Sequence, residues 1–204
     1  MLNRFYIVDD FYGDPDKLVK VALDSPKTDI SRGLYAGVTS ENHYLNEAHR
    51  EFFKDLLHEP SIDWATNLTG RIRFSQANDS YKQLIHPDLG SNTKWAGFIY
   101  LSKNHPSIEG TAFWKHLRTG LEELPRTDES LVNHGWHSIQ DVQNFLETDG
   151  IDESLWKKTF SVPYKYNRLV LFRPWLFHAP GPSFGSTLES SRMIQTFFLG
   201  TKYQ

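Results

Sequence analysis

From Arg71 onward, apolar and polar positions alternate with a period of two in short runs separated by turn residues. RIRFSQA (71–77), SYKQLI (80–85), WAGFIYLS (95–102), TAFW (111–114), TFSVPYKY (159–166), RLVLF (168–172) and RMIQTFFL (192–199) are read as seven strands. Alternation predicts one buried face for most of them, while the unbroken LVLF run predicts a strand covered on both faces. Short strands at this spacing point to a sandwich or barrel. The first 70 residues follow a different rhythm. Phe5–Phe11 reads as a strand. A helix follows with Asp14 as N-cap, Pro15 at its first position, an apolar stripe of Leu18, Val19, Val21 and Ala22, and a stop at Ser25-Pro26. Asp29–Tyr44 reads as a polar loop carrying Arg32, Tyr35 and His43. Asn46–Glu59 reads as a second amphipathic helix with Phe52, Phe53, Leu56 and Leu57 on one side. Residues 115–158 interrupt the strand rhythm. Within them Ser138 and Asp141 have the spacing of a capping box, and Gly150 suits a helix C-cap. The segment reads as a partly helical insertion.

Composition narrows the picture. A chain of 204 residues can bury one sizeable core, and no linker or repeat divides it. It is therefore read as one domain, 1–204, with a strand and helices over 1–70 and a β-rich core over 71–204. The absence of cysteine excludes disulfides, thiolate metal sites and cysteine nucleophiles. A net charge of −3 gives no basic face for nucleic acid. No apolar run approaches the ~20 residues that span a bilayer. The opening MLNRFYIVDDFYGDP is acidic and aromatic too early for a signal peptide. A soluble, cytoplasmic protein is expected.

The candidate chemistry lies in three places. His86-Pro87-Asp88 sets a histidine and a carboxylate two residues apart, and residues i and i+2 of a strand share a face. Pro87 cannot donate to a ladder, which suits a strand end. His178 closes the RLVLFRPWLF run at another strand end. Two imidazoles and one carboxylate on one face of an octahedron form the facial triad that holds non-haem Fe(II). Arg192 opens the last strand and shares its face with Ile194, Thr196 and Phe198. A cation on an apolar inward face needs an anionic partner. Arg173 is its nearest competitor. His43, His49, His58, His105, His116, His134 and His137 lack a comparable setting. His134-Gly135-Trp136-His137 is a decoy with no upstream carboxylate at ligand spacing.

These residues resemble the prolyl-hydroxylase-like branch of the Fe(II)/2-oxoglutarate dioxygenases. YKQLIHPD (81–88) resembles that family's strand ending in His-x-Asp, and WAGFIYLS is similar to its next aromatic strand. Gly110-Thr111-Ala112-Phe113 resembles its Gly-Gly-x-x-x-Phe turn, with Glu109 in place of the first glycine. NRLVLF (167–172) resembles its Gly-Arg-Leu-Val-Leu-Phe strand, with Asn167 in place of glycine. RMIQTFFL is similar to the closing strand that begins with the 2-oxoglutarate arginine. The loop between His178 and Arg192 is longer than the family's commonest spacing. The resemblance covers roughly Phe74 to Leu199 outside the insertion. It implies a double-stranded β-helix, that is, a cupin-like jelly roll, with the N-terminal helices packed outside. It further implies Fe(II) on His86, Asp88 and His178, and 2-oxoglutarate as cosubstrate paired with Arg192, with Tyr81 as a second partner. O2 and 2-oxoglutarate would be consumed to succinate and CO2 while a small-molecule or peptide substrate is hydroxylated.

Two other readings stand beside this one. The chain is alternatively a non-catalytic jelly-roll binding or scaffold protein, or a cupin-type metalloenzyme that does not use 2-oxoglutarate. Convergence of the triad and Arg192 on one space discriminates them. Halogenation is disfavoured because Asp88 fills the position that halide would need. Arg32, Tyr35, Trp114 and Trp175 are candidates to border the substrate. The insertion is expected either as a lid or wall over the mouth or as packing on the outside.

Overall fold

A computed structural model describes residues 3–29, 35–80, 85–90, 92–105 and 109–201. Its strands are β1 (Phe5–Val8), β2 (Lys27–Thr28), β3 (Val38–Ser40), β4 (Asp63–Trp64), β5 (Ile72–Ser75), β6 (Trp95–Tyr100), β7 (Thr111–His116), β8 (Trp156–Val162), β9 (Leu169–Phe172), β10 (His178–Ala179) and β11 (Arg192–Gly200). Its α-helices are α1 (Pro15–Asp24), α2 (Glu47–Leu57), α3 (Asp128–Val132) and α4 (Ile139–Thr148). Among the described residues the strands form two antiparallel sheets. The larger runs β1-β9-β6-β11-β5-β3-β2, with β4 added beside β11, and the smaller runs β10-β7-β8. The fold is mainly β and jelly-roll-like.

Alternation along the strands sorts the core into layers. Trp95 and Ile99 of β6, Leu169 and Leu171 of β9, and Met193, Phe197 and Leu199 of β11 point to one face of the large sheet. There they cluster with Ala22 of α1 and Phe53 and Leu57 of α2. Ala96, Phe98, Tyr100, Val170, Phe172 and Ile194 point to the other face, where Phe113 and Val162 of the small sheet meet them. The LVLF strand is buried at every position, as its unbroken apolar run predicts. Burial on both faces is what makes β6 apolar throughout as well.

Helix ends follow local chemistry. The Asp14 carboxylate accepts from Lys17 N–H at 3.1 Å, and the Asn46 side chain accepts from His49 N–H at 3.2 Å, each satisfying an otherwise orphan donor. Several sequence expectations need correction. The first strand stops at Val8 because Asp10 adopts a left-handed backbone (φ 56°) and leaves the ladder. Val21 lies off the buried stripe of α1, at 50% exposure. The polar stretch after Asp29 contains β3, which pairs with β5 and β2. The strand expected over 80–85 falls largely outside the described residues. The eighth strand starts at Trp156 rather than Thr159, and His116 pairs with Trp156, so the insertion occupies 117–155. Ser138 caps α4 as expected, but the helix continues into a 3-10 turn at Asp149–Ile151. Gly150 sits inside that turn instead of terminating the helix.

The insertion packs on the side of the small sheet away from the large one. Val142, Phe145, Leu146 and Trp136 cluster with Ala112, Trp114, Trp156 and Phe177. This is the outside packing and not the lid. Backbone bonds tie it to the segments that carry the candidate site: Ile85 N–H donates to Gly150 O at 2.8 Å, Phe177 N–H to Glu122 O at 3.0 Å and Leu124 N–H to Trp175 O at 2.8 Å.

Asn167 takes φ 61°, the left-handed region that glycine enters freely and asparagine tolerates. Its side chain accepts from Tyr12 N–H at 2.9 Å and donates to Tyr12 O at 2.8 Å. Asn167 therefore holds a left-handed backbone and clips the N-terminal segment.

Candidate functional site

His86 and His178 meet across a two-stranded contact. Each backbone N–H donates to the other's carbonyl at 3.0 Å, the mark of directly opposed residues in an antiparallel pair. Opposed side chains share a face, so the two imidazoles lie side by side with ring centroids 4.7 Å apart. His178 is placed by β10 pairing with Phe113 of β7. The chain turns after His86, and Asp88 is fixed where its N–H donates to Pro174 O at 2.7 Å. Its carboxylate then lies 3.9 Å from His86 Nε2 and 3.5 Å from His178 Nε2. One ligand atom from each of the three residues falls within 4.8 Å of the others.

This set suits a divalent cation. Adjacent ligands of an octahedral ion at about 2.1 Å stand about 3 Å apart, so modest contraction brings the three into place. His178 Nδ1 lies 2.9 Å from Leu176 O. A carbonyl can only accept, so Nδ1 carries the hydrogen and Nε2 presents its lone pair toward Asp88. A hydrogen bond on the outer nitrogen is the usual way a ligating imidazole is oriented. Burial, partly opposed by Asp88, pushes the His178 pKa down to about 4, which keeps the ring neutral and ready to ligate.

That shift has a consequence for the metal-free protein. The folded ring resists protonation, while the unfolded one accepts a proton near pH 6.5. The unfolded state thus binds more protons between about pH 6.5 and 4, and stability falls as pH drops through that window. The loss expected by pH 4 is on the order of 3 kcal/mol. Burial lowers His49 as well, adding in the same direction. Denaturant unfolding of chelator-treated protein from pH 7 to 4.5 measures the slope. His178→Asn is expected to flatten it, and an unchanged slope in that variant would remove the assignment.

The triad borders a cavity of about 280 Å³ between the two sheets. Phe98, Phe172, Phe198 and Ile194 supply apolar wall, Pro180, Gly181 and Ser183 come from the long loop before β11, and Arg73 and Arg192 both line it. Arg192 is 3% exposed. Its Nε is buried without a hydrogen-bond partner among the described residues, and its guanidinium lies 5.9 Å from the Tyr100 ring centroid. A buried guanidinium with an orphan donor has the chemistry to pair with an anion.

Other expected residues are distributed differently. Tyr81 and Arg32 lie outside the described residues. Tyr35 lines the cavity, its ring 5.6 Å from that of His86, and burial pushes its pKa up to about 12. Trp114 and Trp175 belong to the cluster beneath the insertion and do not line the cavity. Arg173, the competitor, does not line the cavity. It stacks on Trp95 at 3.7 Å and donates to Asn3 O and Lys94 O. His134 bonds Ser130 O at 2.8 Å, in the turn between α3 and α4. No residue of 117–155 lines the cavity. Arg73 is the cavity residue that sequence reading missed. The signal was present, since alternation in RIRFSQA sets Arg73 opposite Ile72 and Phe74, but a polar alternate on a strand reads first as solvated. Among the described residues no helix is long and apolar enough to cross a membrane.

Comparison with solved structures finds the same fold. HygX from Streptomyces hygroscopicus with nickel and 2-oxoglutarate bound is similar at a TM-score of 0.50 and 10% identity, over 98% of this chain and 84% of that one. HygX with nickel, 2-oxoglutarate and hygromycin B bound gives 0.49 and 11% over the same shares. HygX with iron bound gives 0.46 and 11% over 98% of this chain and 83% of that one. No curated protein sequence matches significantly. Residues 2–188 match a family described as a family of unknown function, DUF6445. That match runs over most of the sequence, and the chain therefore belongs to the DUF6445 family.

Proposed function

We propose that the chain is a non-haem Fe(II)- and 2-oxoglutarate-dependent dioxygenase, a hydroxylase of the prolyl-hydroxylase-like branch. Residues 1–204 would act as one domain, a double-stranded β-helix with α1 and α2 outside it. The observation that carries this reading is convergence. His86, Asp88 and His178 gather at one cavity, and the same cavity is lined by the buried, incompletely bonded Arg192. The bound similar structure HygX, which holds nickel and 2-oxoglutarate, supports it at the level of fold.

Roles follow from the residues. His86, Asp88 and His178 would hold the metal, with the Leu176 carbonyl keeping Nε2 of His178 unprotonated. When bound, Fe(II) supplies the centre that couples decarboxylation of 2-oxoglutarate by O2, giving succinate and CO2, to oxidation of a substrate C–H bond. Arg192 would bind the far carboxylate of 2-oxoglutarate through its planar fork. Tyr81 remains the proposed second partner. Phe98, Phe172 and Phe198 would keep water from the reacting face. A scaffold without turnover gives no reason for the triad and Arg192 to share a cavity, and a cupin-type enzyme without an oxoacid leaves Arg192 unused.

Anaerobic titration with Fe(II) and then 2-oxoglutarate tests the proposal. A weak visible charge-transfer band, appearing only with both present and saturating at one equivalent of each, is expected. Iron uptake with no band and no 2-oxoglutarate binding would favour the cupin-type alternative.

A further inference from the structure

Arg73 and Arg192 occupy diagonal positions on neighbouring strands. Arg192 opposes Ser75 and Ile194 opposes Arg73 in the β11–β5 ladder, which sets the two Cα atoms about 7–8 Å apart. Both line the cavity, yet their surroundings differ. Arg192 sits by Tyr100. Arg73 lies over the ring of Tyr35 at 5.2 Å, and that ring also neighbours the ring of His86. Arg73 is thus one aromatic ring away from a proposed metal ligand. It donates to Ala36 O at 3.2 Å, and among the described residues no ion pair holds it. Asp29 acts on it through space but is exposed and screened by solvent.

Charge balance in the cavity asks for one more anion. Asp88 is the carboxylate of its lining. Under the proposed function, Asp88 and the two carboxylates of 2-oxoglutarate oppose a divalent metal and two arginines, and one positive charge stays unmatched. Arginine does not shed its proton to relieve this. The rest of the wall is largely apolar, with Phe98, Phe172 and Phe198.

We infer that the substrate is a small molecule with an apolar body and one oxyanion group, held by Arg73 so that its body crosses Tyr35 toward the metal. This rests on the oxygenase reading above and names its substrate class.

Calorimetry on the full chain separates the two. Ni(II) is added first, then 2-oxoglutarate, which gives a loaded complex without turnover. If neither binds, the oxygenase reading falls and this inference falls with it. On the loaded complex, 3-phenylpropanoate and phenyl phosphate are compared with the neutral 3-phenylpropanamide. At least one anion is expected to bind more than tenfold tighter than the amide. Arg73→Gln is expected to erase that preference and leave 2-oxoglutarate affinity within about threefold. Arg73→Lys, which keeps the charge and serves as the conservative control, should retain a reduced preference. No preference for either anion in the loaded wild type overturns the inference alone. A more than tenfold loss of 2-oxoglutarate affinity in Arg73→Gln also overturns it, by giving Arg73 to the cosubstrate.

Discussion

Asp88→Ala is expected to lower Fe(II) affinity by more than about 100-fold, roughly 3 kcal/mol, while the protein stays folded. Asp88 is the carboxylate of the candidate set and stands within 4 Å of both imidazoles. Removing it takes away the charge that offsets the cation and leaves two neutral ligands. The side chain is partly exposed, so little core packing goes with it. Far-UV circular dichroism and a denaturation midpoint close to wild type would show that the fold persists. His86→Ala should act similarly. His178→Ala should lose metal as well, and it also opens a hole against Phe172 and Phe113, whose rings pack on that imidazole at 4.6 and 6.1 Å, so its metal-free stability should fall. Wild-type iron affinity in Asp88→Ala would sink the triad.

Arg192→Ala is expected to weaken 2-oxoglutarate by roughly 2–5 kcal/mol, the range for truncating one partner of a buried charge pair. Fe(II) affinity should move by less than about threefold. Arg192 reaches the cavity from the large sheet, whereas the candidate ligands come from the opposite wall. The variant should be no less stable in the absence of ligands, because an uncompensated buried charge weighs against folding. Calorimetry of 2-oxoglutarate on the Ni(II)-loaded variant measures the first effect, and thermal unfolding the second. Unchanged 2-oxoglutarate affinity would move the role to Arg73, since Arg173 stacks on Trp95 away from the cavity.

The periodicity of RLVLF and RMIQTFFL made two central strands legible, because burial on both faces or on one leaves a direct mark on residue choice. The helix starts at Asp14 and Asn46 were legible for a similar reason, since a cap is a local bargain between one side chain and one backbone N–H. The spacing of His86 and Asp88, and the inward face of Arg192, could also be read along the chain. What lay beyond the sequence was every relation between segments far apart in it. The pairing of His86 with His178 rests on two backbone hydrogen bonds that carry no side-chain signature. The insertion's place outside the small sheet depends on which face of β7 it covers, and its apolar residues would suit a lid equally well. Arg73 became a cavity residue only because β5 lies beside β11. Local chemistry and period are written in neighbouring residues, whereas the choice of neighbour across a sheet is settled by the packing of the whole core.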